Sequence, residues 1–130
     1  MATTKTNNLR VMVDANVLVA GIGWPRFPRE VLQHAVSGDY QLVLSPFVIA
    51  EARKHLTRLF PQAVEQFEVV LETSNYEEIS NPSKEEINRH PHLVRDLNDI
   101  PVALAAINAQ VDYLVTQDKD FTEPNEPIHQ

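Results

Sequence analysis

Residues 9–14 read Leu9-Arg10-Val11-Met12-Val13-Asp14. The run is short, apolar and β-branched, and it stops on a carboxylate. A strand buried on both faces has this near-continuous apolar character, and such strands belong to parallel sheets. Working outward, residues 16–22 suit a short helix, after which Gly21, Gly23 and Pro25 break the chain. Residues 28–37 place Val31, Leu32, Ala35 and Val36 at helical spacing, and Gly38 ends them. Residues 41–44 read as a second short strand, closed by Ser45-Pro46. Residues 46–60 make the clearest helix, with Val48, Ile49, Ala52, Leu56, Leu59 and Phe60 on one face. Residues 62–71 repeat the pattern with Ala63, Val64, Phe67, Val70 and Leu71. A third strand is expected over 76–79, and a short helix over 83–88 within the polar stretch 82–96. Val102-Ala103-Leu104-Ala105-Ala106-Ile107 is apolar nearly all round, which predicts a central buried helix, and residues 112–116 supply a fourth strand. Strands alternating with helices predict an α/β fold with a mainly parallel sheet.

The 130 residues are 43% hydrophobic and 22% charged, the balance of one globular domain with one sizeable core. That domain is expected to span 1–130, with a flexible polar head at 1–8 and a polar tail at 122–130. Cysteine is absent, which removes disulfides, thiolate metal sites and a cysteine nucleophile. Three glycines in the whole chain exclude both the dinucleotide fingerprint and the P-loop. No apolar run approaches the roughly 18 residues of a membrane span, and the polar N-terminus is no secretory signal. The expected location is cytoplasmic, with no membrane partner. Eleven Lys and Arg against eighteen Asp and Glu leave a net charge of −7. Such a chain attracts nucleic acid only where a local feature, such as bound divalent metal, reverses the sign.

Ligands collect at the C-terminal ends of strands in open parallel sheets. Asp14 ends the first strand, Asp118 follows the fourth, Asp99 opens the buried helix that leads into the fourth, and Glu51 lies early in the helix after the second. Each has a bland reading. Asp14, Asp118 and Asp120 suit turns, Asp99 suits an N-cap before Pro101, and Glu51 suits an intrahelical pair with His55 or Arg58. Together they place four acids on one sheet edge. Clustered carboxylates repel one another unless cations relieve them, and oxygen-only ligands suit magnesium or manganese. One or two such ions would act on a phosphodiester. Two would move the net charge from −7 to −3.

These residues resemble the PIN-domain family, as in VapC-type toxins of bacterial toxin–antitoxin pairs. Val11-Met12-Val13-Asp14-Ala15-Asn16-Val17-Leu18 looks like the family's opening strand. Ser45-Pro46-Phe47-Val48-Ile49-Ala50-Glu51 looks like its second motif. Asp96-Leu97-Asn98-Asp99 with Val102-Ala103-Leu104-Ala105-Ala106 resembles the third, and Tyr113-Leu114-Val115-Thr116-Gln117-Asp118-Lys119-Asp120-Phe121 the fourth. The resemblance implies a Rossmann-like three-layer α/β/α sandwich and a Mg- or Mn-dependent endoribonuclease. It carries the catalytic, metal-holding role onto Asp14, Glu51, Asp99 and Asp118. Asp96 competes for the third place, Asp120 assists Asp118, and Asn16 and Thr116 orient carboxylates or water. It also implies an RNA substrate, a cognate antitoxin protein and a homodimer. Two departures stand out. Gln117 replaces the family's usual glycine, and Glu123-Pro124-Asn125-Glu126-Pro127 reads as a loop toward a further strand that the chain lacks. Either the chain is truncated there, or the sheet edge is left open and covered by a partner.

Other features weigh less. Lys54 and Arg58, on the Glu51 side of their helix, are candidate RNA-binding residues, against a solvated face with intrahelical ion pairs. His90-Pro91-His92 is weak evidence for a metal pair. His55 suits packing as well as a general base, Trp24 and Phe27 suit a core edge as well as base stacking, and Phe47, Phe60 and Phe67 suit the core. Two rival functions remain: a phosphotransfer or phosphatase-type domain using Asp14, and a non-catalytic acidic domain that binds a basic protein.

Overall fold

The structure is a computed structural model that describes residues 9–23, 27–94 and 99–116. Its centre is the expected apolar strand, β1 (Arg10–Val13), whose last three residues are buried. The chain continues through α1 (Ala15–Gly23), α2 (Phe27–Val36), β2 (Gln41–Leu44) and α3 (Pro46–Leu59). A single 3-10 turn, Pro61–Ala63, leads into α4 (Val64–Ser74). Then follow β3 (Glu77–Glu78), α5 (Lys84–Arg89), α6 (Ile100–Ala109) and β4 (Tyr113–Val115). The four strands form one parallel sheet in the order β3-β2-β1-β4. Sheet and flanking helices make the expected α/β sandwich.

α3 and α5 start where a serine side chain satisfies a free backbone donor. Ser45 has extended backbone and accepts from the amide of Val48 at 3.3 Å, while Pro46 occupies a position where no amide is needed. At α5, Ser83 and Glu86 form a reciprocal capping box. Two helices end on left-handed residues, Asn75 after α4 and Gln110 after α6. Gln110 turns its amide back to the carbonyls of Ala106 and Ile107.

The core runs through both layers around β1 and β2. Met12, Val13, Val43, Leu44, Val48, Ala52, Leu56, Phe67 and Ala103 are all sealed from solvent. Each large member contributes about 1.5–3 kcal/mol by its burial. Three expectations are corrected. Gly21 does not break the first helix but lies buried within α1. Leu59 and Ile107, read as core-facing, are 48% and 46% exposed, because each sits in the last turn of its helix, past the sheet that covers the rest. Phe67 is fully buried, but Phe47 and Phe60 only pack against the core's margin.

Arg10 closes the edge where the strands begin. Its Nε and Nη2 donate to the two carboxylate oxygens of Glu77, each at 2.9 Å, and its Nη1 donates to the carbonyl of Ala109 at 2.7 Å. One side chain thereby joins β1, β3 and the C-terminus of α6, whose negative dipole end favours a cation. The paired carboxylate raises the Arg10 pKa further. Nothing local in the sequence marks this contact.

Candidate active site

Asp14 is the best-defined group at the opposite edge, where the strands end. It is only 6% exposed. Its amide donates to the carbonyl of Val115 at 3.1 Å, which extends the pairing of β1 with β4 by one residue. Its Oδ1 accepts from the amide of Val17 at 2.9 Å, so Asp14 also caps α1. Its Oδ2 accepts from the hydroxyl of Thr116. A carboxylate held at both oxygens has a set direction. The turn reading and the functional reading of Asp14 are therefore compatible: the same side chain starts a helix and stands at the site edge.

Thr116 meets Asp14 as expected. Asn16 does not: it is exposed on the first turn of α1 and makes no hydrogen bond to Asp14 among the described residues. A cap accepts from the amide two or three positions on, and Asp14 takes that of Val17.

Glu51 lies one and a half turns into α3, half-buried at 33% exposure. Its Oε1 is 3.6 Å from Nε2 of His55, the i+4 contact that the sequence suggested. On the other flank of α3, Arg53 makes two hydrogen bonds to Glu68 of α4, at 2.7 and 3.0 Å, and lies over the Phe67 ring. That contact fixes the rotation of α3. Arg53 faces α4, and Glu51 lies on the flank turned away from it.

Asp99 occupies the N-cap position of α6. It does not cap through its side chain, and its backbone is helical rather than extended. The simple capping reading therefore fails. One carboxylate oxygen of Asp99 is buried. Because α6 returns the chain to the start of the parallel strand β4, its first residue must lie at the edge where strands end. α3, which follows β2, must begin at that edge too, and α3 and α6 contact each other.

The donor chemistry suits a hard cation: the carboxylate of Asp14 is buried, one carboxylate oxygen of Asp99 is buried, and there is no thiolate. The structure places Asp14, Glu51 and Asp99 singly, each on its own element, and does not bring the three into one cluster. Among the described residues, no three His, Asp or Glu side chains lie close enough together to hold a metal ion. Asp118, Asp96, Asp120 and Gln117 lie outside the described residues, as do Trp24 and the side chain of Phe27. His90 and His92 are exposed and join no such group. No described helix is long and apolar enough to cross a membrane.

A family model described as "PIN domain" matches residues 10–120. Among solved structures, the chain is similar to PAE2754 from Pyrobaculum aerophilum, with a TM-score of 0.65 and 22% identity, over 86% of this chain and 76% of that one. It is also similar to VapBC2 from Rickettsia felis, solved bound to a DNA fragment from its promoter. There the TM-score is 0.63 and the identity 22%, over 93% of this chain and 96% of that one. No curated protein matches the sequence.

Proposed function

Since the chain belongs to the PIN-domain family, whose domains are generally nucleases, we propose that it is a divalent-metal-dependent endoribonuclease and the toxin of a toxin–antitoxin pair. The observation that carries this reading is the buried carboxylate of Asp14. It ends the central strand and is held at one oxygen by the Val17 amide and at the other by the Thr116 hydroxyl.

Asp14, Asp99 and Asp118, with Glu51, are the residues that would hold magnesium or manganese. Such an ion supplies positive charge to a phosphodiester and acidity to the attacking water. The chain's own contribution is positional. Val17 and Thr116 restrict Asp14 to one rotamer, so its charge cannot swing away from the edge. Glu51, half-exposed, either holds metal or orients the water that attacks in line with the leaving oxygen. With metal at this edge, the local potential attracts phosphate although the whole chain carries −7.

The similarity to a VapBC complex supports an antitoxin as partner, and the charge of −7 suits a basic one. A homodimer accords with the same reading.

The test is cleavage of single-stranded RNA in manganese by the wild type and by Asp14→Asn, with thermal melts alongside. Asparagine keeps the cap and removes the charge. Cleavage lost in a folded variant supports the reading; equal cleavage by both proteins overturns it. Manganese should also raise the wild-type stability, by about 2.7 kcal/mol at a hundredfold excess over its dissociation constant. No shift at millimolar metal would leave the acidic protein-binding alternative.

A further inference from the structure

The described part of α3 carries four basic side chains, and they divide into two kinds. Arg53 is engaged twice by Glu68. His55 faces Glu51. Lys54 and Arg58, both exposed, enter no ion pair or hydrogen bond among the described residues. The intrahelical pairs that would make them an ordinary solvated face are not formed. Arg58 has no carboxylate three or four residues to either side: those places hold Lys54, His55, Pro61 and Gln62. Lys54 has Glu51 three residues back, but Glu51 is turned to His55.

Lys54 and Arg58 are thus like charges at i and i+4, about 5–6 Å apart at their Cβ atoms and mutually repelling. No carboxylate among the described residues pairs with them. Arg58 follows Glu51 by seven residues, almost two helical turns, so the two share one stripe, with Lys54 beside it. The rotation set by Arg53 turns this stripe away from α4.

We infer that the Glu51 flank of α3 is a backbone track, on which Lys54 and Arg58 hold two neighbouring phosphates of the RNA strand as it leaves the site at Glu51. This rests on the nuclease reading. It adds that the substrate is an extended single strand longer than the cleaved step, held by charge and without base recognition at these two positions. Both side chains are long and exposed, so they can reach phosphates without any rearrangement of the helix. Arginine and lysine contacts to backbone phosphate position a strand and carry no sequence information.

The test measures binding apart from cleavage. A fluorescent single-stranded RNA of mixed sequence is titrated with the full chain carrying Asp14→Asn, across a range of salt. The comparison proteins add either Lys54→Gln with Arg58→Gln, or Lys84→Gln with Arg89→Gln, an equal change of charge on α5. Glutamine is as good a helix former as the residues it replaces. Each phosphate contact adds about 0.7 to the slope of log affinity against log salt. The α3 pair should therefore lower the slope by about 1.4 and weaken binding on the order of tenfold at 0.1 M salt. The α5 pair should change neither. An unchanged slope in the α3 variant, equal losses in both variants, or no binding by the parent would each overturn the track. Wild-type cleavage is assayed separately. Cleavage with an unchanged slope removes the track and keeps the nuclease, whereas a lowered slope without cleavage in any metal does the reverse.

Discussion

The hydroxyl of Thr116 donates to the carboxylate of Asp14 across 102 positions of sequence. The contact exists because β4 lies next to β1 and both strands end at the same level, with Val13 opposite Val115. It couples the helix cap, the sheet edge and the proposed metal-holding acid in one side chain.

That coupling separates the two jobs of Asp14. Asp14→Asn should abolish cleavage and keep the α1 cap, since asparagine caps as well as aspartate, while weakening the Thr116 contact, so that it stays folded and loses less stability than Asp14→Ala. Asp14→Ala should lose cleavage, about 1 kcal/mol of stability through the lost cap, and the Thr116 hydrogen bond, worth about 1.5–3 kcal/mol. Chemical denaturation of the two variants checks the difference.

Thr116→Val removes a hydrogen bond to a charged acceptor at nearly constant volume. A loss of about 1.5–3 kcal/mol is expected, together with slower cleavage as Asp14 gains freedom. Thr116→Ser should recover most of both, because the hydroxyl is what matters. Equal behaviour of the valine and serine variants would show that the hydroxyl does not position Asp14.

At the opposite edge, Arg10→Met should release β3 and the end of α6 from β1. Because Arg10 and Glu77 are 31% and 41% exposed, solvent screens the pair. The expected loss is about 1 kcal/mol. Cleavage per folded molecule should stay at the wild-type level, since no site residue touches Arg10.

Tyr40 gives an alkaline signature. Burial pushes its phenol up to about 12. A phenol whose pKa is higher folded than unfolded binds its proton more tightly in the native state. Its contribution is complete below the unfolded value near 10 and is lost as pH rises from there toward 12. Stability should therefore fall across that window, and Tyr40→Phe should flatten the fall, as read by denaturant midpoints from pH 9 to 12.

Phe67 is the largest fully buried side chain and also lies beneath Arg53. Phe67→Ala should cost about 3–5 kcal/mol. It should also weaken the contact that sets the rotation of α3, lowering cleavage beyond what the folded fraction explains.

The elements were readable in the chain because their signals are local. The apolar run at Val11-Met12-Val13, the helical spacing of Val48, Ile49, Ala52 and Leu56, and the cap at Ser45 each act within a few residues. The parallel sheet followed from the alternation of strands with helices, and the place of Asp14 at the end of β1 followed from the direction of that strand. The i+4 contact of Glu51 with His55 is equally local.

Contacts that depend on which strands become neighbours were not readable. The order β3-β2-β1-β4 is a global choice, and it alone brings Thr116 to Asp14, and Arg10 to Glu77 and Ala109. The fold likewise decided that Val17, and not Asn16, meets Asp14. It decided that Asp99 is no side-chain cap, and that Arg53 turns to α4 while Lys54 and Arg58 are left to solvent. Periodicity tells a side chain whether it faces the core. Only packing against a particular neighbour tells it what it touches.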